Sequence, residues 1–235
     1  MKRRTEHGSA MVEFLIVGPL LWMIVLSIVQ LALIFIARIE VDYATFMAAR
    51  AGSTGHAEFG AMRNAYLLAA IPMYGGGSSS AQIAAAYQRA STDLLVGGHL
   101  LLRMTNPTTA SFTDWGDPTL RAFEGDNGAP APGCGTPTHR VIPGQNLAYW
   151  SSADVGASSG QSIHDASVLK LEVMQGVRPV IPLVNTLFLD VMRAADPHAG
   201  TVGGRFYTAQ LAQGRFPVRS EVTLQMQSDA YEPTP

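Results

Sequence analysis

The sequence predicts an α+β chain. A long N-terminal transmembrane helix continues into a periplasmic helix, and a small domain of helices packed on an antiparallel sheet follows, with a long irregular loop region. Three observations carry this. Residues 14–37 form 24 consecutive positions without a charge. Apolar residues then recur at three- and four-residue steps through much of residues 36–94. Near the C-terminus, Val218, Ser220, Val222, Leu224 and Met226 alternate with Arg219, Glu221, Thr223, Gln225 and Gln227.

The uncharged run comes first. At about 1.5 Å per residue it exceeds the roughly 30 Å of a bilayer's hydrocarbon core, so it spans as a helix. A cleaved secretory signal is the rival, but its apolar region is typically about 7–15 residues and ends at a small-residue site. Here the run continues into Arg38 and Glu40. Lys2, Arg3 and Arg4 precede it and hold the N-terminus in the cytoplasm, which puts the chain beyond Arg38 on the far side. Gly18 and Pro19 fall in its first half; Pro19 lacks the N–H that would bond Leu15, and a hinge and a tolerated membrane proline both fit. The organisation is then 1–8 leader, 9–37 transmembrane helix and 38–235 periplasmic domain, divided into helical 38–105, loop-rich 106–162 and mainly strand-forming 163–235.

From Arg38 the helix continues with Ile36, Ile39, Tyr43, Phe46, Met47 and Arg50 on one face, and breaks near Gly52-Ser53-Thr54-Gly55. A second helix over 57–71 presents Phe59, Met62, Tyr66 and Ala70 and stops at Pro72. A third opens after the Gly75–Ser80 linker, capped by Ser80, with Ile83, Tyr87, Ala90 and Leu94 inward. These aromatics and methionines read as core. Residues 106–162 are rich in Gly, Pro, Ser and Thr, with turns at 126–128 and 133–135, yet Phe112, Trp115, Phe123, Tyr149 and Trp150 argue partial order. Leu169, Leu171 and Val173 alternate with Lys170, Glu172 and Met174 as a strand. Pro179 and Pro182 push 177–184 to a sheet edge or loop, and 185–195 fits one more helix.

Composition sharpens the class. The 235 residues are 47% hydrophobic and only 14% charged, where an ordinary soluble domain has roughly a quarter of its residues charged. Most of that apolar surplus is the span, and the rest of the chain is a rather polar domain. A net charge of −2 excludes a strongly basic nucleic-acid binder. Cys134 is the single cysteine, so there is no intrachain disulfide and no thiolate zinc site; an intermolecular disulfide and a free thiol both fit it.

No catalytic pattern emerges. Gly156-Ala157-Ser158-Ser159-Gly160 matches the G-x-S-x-G elbow, but it lies in a Gly/Ser-rich loop with a strand after it, where the elbow needs a strand before and a helix after. The histidines His7, His56, His99, His139, His164 and His198 are scattered, without metal-ligand spacing. His164-Asp165 fits a surface turn. The expectation is a non-enzyme without cofactor, metal or small-molecule substrate.

One carboxylate breaks the simple anchor. Glu13 stands one residue before the uncharged run, where it fits the headgroup zone; deeper in lipid it is expensive and usually functional. Its surroundings decide: Lys2-Arg3-Arg4, then Gly8-Ser9-Ala10-Met11-Val12-Glu13-Phe14, then the span. This resembles the class III signal of type IV pilins and pseudopilins. The resemblance implies a prepilin peptidase cut between Gly8 and Ser9, with Glu13 five residues past it. Glycine leaves no side chain beside the scissile bond. The cut creates an α-amino group at Ser9 that Glu13 of a neighbouring span can neutralise.

Adding Gly18-Pro19-Leu20-Leu21, Ala37-Arg38 and Ala48-Ala49-Arg50-Ala51, the chain is similar to the TadE-like family of tight-adherence (Flp) pilus systems. Arg215–Glu221 looks like the short terminal strand of the same proteins. Phe14 stands where the major pilins have Tyr, and the chain is several times longer than they are, so the resemblance implies a minor pseudopilin. It implies a bacterial inner-membrane, single-pass protein working in pilus assembly, secretion, surface adhesion and biofilm. Its expected partners are the prepilin peptidase, other pilins or pseudopilins, inner-membrane pilus assembly proteins and the lipid bilayer; incorporation into the extracellular pilus stays open. A different class also fits: an unprocessed single-pass anchor that scaffolds a secretion complex.

Overall fold

The computed structural model describes residues 9–117, 140–144, 147–194 and 202–232. Lys2, Arg3, Arg4, His7, Gly8, Phe123, Cys134, His139, His198 and the turns at 126–128 and 133–135 lie outside the described residues. In chain order the helices are α1 (Ser9–Thr54), α2 (Phe59–Ala69), α3 (Ser80–Ser91), α4 (Thr109–Trp115), α5 (Ile163–Ala166), α6 (Pro182–Ala194) and α7 (Val202–Ala212). The strands are β1 (Leu100–Asn106), β2 (Val141–Ile142), β3 (Val168–Val177), β4 (Phe216–Gln225) and β5 (Ala230–Tyr231). The α+β class is as the sequence predicts.

The chain divides into two compact units, one of Met1–Ile39 with Gly176–Val218, the other of Glu40–Gln175 with Arg219–Pro235. The second holds a sheet ordered β1-β3-β4, with β1 antiparallel to β3. Leu169, Leu171 and Val173 are fully buried, as their alternation requires, and Met174 and Gln175 are buried too, which suits the central strand. On the outer face, Lys170 pairs with Glu221 and Arg219 Nε lies 2.9 Å from Glu172. The two pairs run in opposite senses along β3 and β4, as antiparallel strands dictate.

Helices cover this sheet. Met62, Tyr66 and Ala70 are buried as expected, while Phe59 is exposed. The α-helix α2 ends at Ala69, and a 3-10 turn over Ile71–Tyr74 takes in Pro72. The cap of α3 is Ser79, correcting Ser80: Ser79 Oγ accepts from Gln82 N–H and the Gln82 side chain accepts from Ser79 N–H, a reciprocal capping box. Of the third helix's predicted face, Ala90 and Leu94 are buried and Ile83 is exposed. Several elements were not anticipated, among them the short β2 in the loop-rich stretch and α5 at the start of the stretch read as mainly strands. β1 lies inside the stretch read as helical, α4 inside the loop-rich stretch, and α7 inside the stretch read as mainly strands.

The largest correction concerns α1. The face containing Ile36, Ile39, Tyr43 and Phe46 is exposed, and the helix instead buries Val41, Ala44, Thr45, Ala48 and Ala49. Small side chains let the helix axis approach its neighbours closely. A Cβ placed on Gly52 would come within 2.6 Å of Met62 Sδ and 2.9 Å of Leu169 Cδ2, so only glycine fits there without displacement. α1 stops at Thr54 as expected. The turn after it puts His56 and Ala57 in left-handed conformations (φ 57° and 60°) at about 1–2 kcal/mol each. The C-terminal segment holds that turn. Gln227 and Ser228 N–H donate to Ser53 O, Tyr231 N–H donates to His56 O, and the Tyr231 ring stacks on His56 at 4.2 Å.

In the other unit, Arg215 and Gln210 are buried and close the segment 176–218 on itself. Arg215 Nη1 donates to Gly176 O at 2.9 Å, and Arg193 Nη2 donates to Leu211 O at 2.7 Å, tying α6 to the end of α7.

Candidate functional site

The candidate site is the N-terminal stretch of α1. The described helix starts at Ser9, and Glu13 stands one turn further along it. Residues at i and i+4 share a helix face, separated by about 6 Å of rise. Glu13 is exposed and so is Phe14, at 78%. α1 runs through Pro19 without interruption. The structure thus brings Ser9, Glu13, Phe14, Gly18 and Pro19 onto one helix, while Gly8 and the basic residues lie outside the described part.

The burial profile of α1 measures its free length. No residue from Met11 to Val29 is buried, and most are exposed apolar side chains, including Leu15, Ile16, Leu20, Leu21 and Trp22. That stretch of 19 residues rises about 28 Å, close to the thickness of a hydrocarbon core. The hydroxyl within it is satisfied locally, Ser27 Oγ donating to Met23 O at 2.7 Å. The first buried residue is Gln30, whose Oε1 accepts from Ile181 N–H at 2.9 Å. Sequence reading passed over Gln30; the signal was an amide late in an otherwise apolar run, since such groups seek partners.

Elsewhere the polar side chains are structural. Asp114 carboxylate oxygens accept from Ser158 N–H, from Ser159 N–H at 2.6 Å and from Ser159 Oγ at 2.7 Å. These bonds, Ser159 foremost, hold the Asp114 carboxyl down at about 2. The 156–160 loop is therefore pinned by an acceptor, and Ser158 is exposed on a turn with no strand leading into it. Asp165 caps α5 with Ser162, so the His164-Asp165 couple sits on a short helix rather than a bare turn. Phe112 is fully buried, and Trp115 meets Trp150 edge-on at 6.0 Å, the partial order that the aromatics predicted; Tyr149 is exposed. Among the described residues no group of three His, Cys, Asp or Glu side chains is placed to hold a metal ion.

Among the described residues one helix, Met11–Thr54, is long and apolar enough to cross a bilayer, which suggests the single-pass class of membrane protein. Residues 8–50 match the family model described as TadE-like protein, so the resemblance in the sequence holds over that segment, which begins at Gly8 and takes in Glu13 and Pro19. The similarity points to the tight-adherence pilus system and to a structural rather than catalytic component. No curated protein and no solved structure matches the chain.

Proposed function

We propose that this chain is a minor pseudopilin of a tight-adherence pilus, cut by a prepilin peptidase between Gly8 and Ser9 and acting in pilus assembly or secretion for surface adhesion. The observation that carries the reading is the TadE-like match over 8–50 on a helix with no buried residue from Met11 to Val29. A helix that leaves most of its apolar side chains exposed in this way is built to be surrounded by lipid or by other spans.

Lys2, Arg3 and Arg4 hold the scissile bond at the cytoplasmic face. Cleavage leaves an ammonium on Ser9. Glu13 of one span neutralises that ammonium on the next, which removes two charges from an apolar environment at once. The rest of the chain lies on the periplasmic side, where it meets inner-membrane assembly proteins or other pilins.

Glu13→Ala tests the pairing. The variant is expected to be cleaved normally yet to fail in assembly, read as loss of surface pili and of adhesion in the native host. Normal piliation by Glu13→Ala overturns the charge-pairing role.

A further inference from the structure

We propose that residues 177–194 and 202–212, with helices α6 and α7, form an interfacial membrane-binding element that lies on the outer surface of the bilayer beside the span. The inference rests on the reading of α1 as a membrane helix.

The contact that carries it is Ile181 N–H to Gln30 Oε1. Gln30 belongs to the uncharged run 14–37 and is the first buried residue of α1 from Met11 onward. From Phe14, where the uncharged run begins, about 24 Å of helix leads to Gln30, so Gln30 stands in the outer part of a core of roughly 30 Å. The backbone at Ile181 is held to that level. Whatever flanks Ile181 must therefore meet headgroups rather than bulk water.

The flanking residues suit that place. Val180 is 69% exposed and Val191 60% exposed, although both are apolar. Val180 stands next to Ile181 just ahead of α6, and Val191 lies on α6 itself. Leu189 is buried, which shows that α6 already has a separate inward face. Residues 176–218 carry four arginines against Asp190 and Asp196; Arg178, Arg193 and Arg205 are exposed, while Arg215 is buried. An apolar exposed side flanked by guanidinium groups is the pattern of a helix that rests in the headgroup region. Exposed α1 side chains in the turns that follow Gln30, Leu31 and Phe35, continue the apolar surface onto the span itself.

The test uses the full chain in nanodiscs of phosphatidylcholine and phosphatidylglycerol, with single spin labels in a Cys134→Ser background. Labels go on Ile24→Cys, Val180→Cys and Val191→Cys, and power saturation compares oxygen with a water-soluble nickel complex. The expected result is a deep lipid signal at 24 and a shallow lipid signal at 180 and 191. Nickel-accessible labels at both 180 and 191 with a lipid signal at 24 overturn the interfacial element and leave the span intact. A nickel-accessible label at 24 overturns the span and this inference with it.

Discussion

Tyr66→Phe is a sharp test of how the unit of Glu40–Gln175 with Arg219–Pro235 is held together. The Tyr66 phenol is fully buried and donates to Gln175 Oε1, itself 1% exposed, while Gln175 Nε2 points to Met73 Sδ at 3.7 Å. Burial above all, with Tyr74 and Asp42 nearby, keeps the phenol protonated far above its ordinary range, so it is a permanent donor. Phenylalanine fills nearly the same volume and leaves the amide oxygen without its partner. A buried acceptor stripped in this way costs about 1–3 kcal/mol. For a unit of this size a loss of about 2 kcal/mol lowers Tm by roughly 4–8 °C. Replacing both partners, Tyr66→Phe with Gln175→Met, removes the orphan and is expected to recover most of the loss, because matched apolar groups are nearly neutral. The assay is thermal unfolding of the detergent-solubilised full chain, followed by circular dichroism and tryptophan fluorescence. A Tyr66→Phe melt indistinguishable from the parent, or a double variant less stable than the single one, refutes the reasoning.

Two further outcomes follow from the same geometry. Asp114→Asn is expected to loosen the 156–160 loop at neutral pH: a carboxyl held at about 2, below its ordinary 3.8, contributes stability that is full above about pH 4 and lost as pH falls through about 2. The difference between parent and variant in Trp115 and Trp150 fluorescence should therefore vanish in acid, and a difference that persists at pH 2 contradicts the clamp. Gly52→Val forces a side chain against Met62 and Leu169, so a loss of about 1–3 kcal/mol in chemical unfolding is expected, and an unchanged midpoint would show that α1 is less tightly packed there than the structure has it.

The sequence was most legible where one physical requirement dominates. Uninterrupted apolar length announced α1, and strict alternation announced β3 and β4, because a sheet with one wet face leaves that pattern. The leader, Glu13 and the small-residue run were enough to reach the TadE-like family over 8–50. Periodicity failed on which side of α1 is inside. Its large residues outweigh Ala44, Ala48 and Ala49 on any hydrophobic scale, yet close packing selects the small ones and leaves Tyr43 and Phe46 outside. β1 begins Leu-Leu-Leu-Arg-Met-Thr, a run without alternation, so it gave no strand signal. α7 opens Val-Gly-Gly, and two glycines weaken any helical reading. The Ser78-Ser79-Ser80 run offered three caps, and Gln82, three residues after Ser79, was the clue that separates them. Asp114 and Gln30 stayed hidden because their partners are distant in sequence.

The central claim is that α1 becomes an assembly element when the basic leader is removed. The most direct measurement is the intact mass of the chain purified from membranes of the native host with its prepilin peptidase present. The expected mass is that of a chain starting at Ser9, short of its first eight residues. A chain that still starts at Met1 contradicts the pseudopilin mechanism and leaves a permanent single-span anchor in its place.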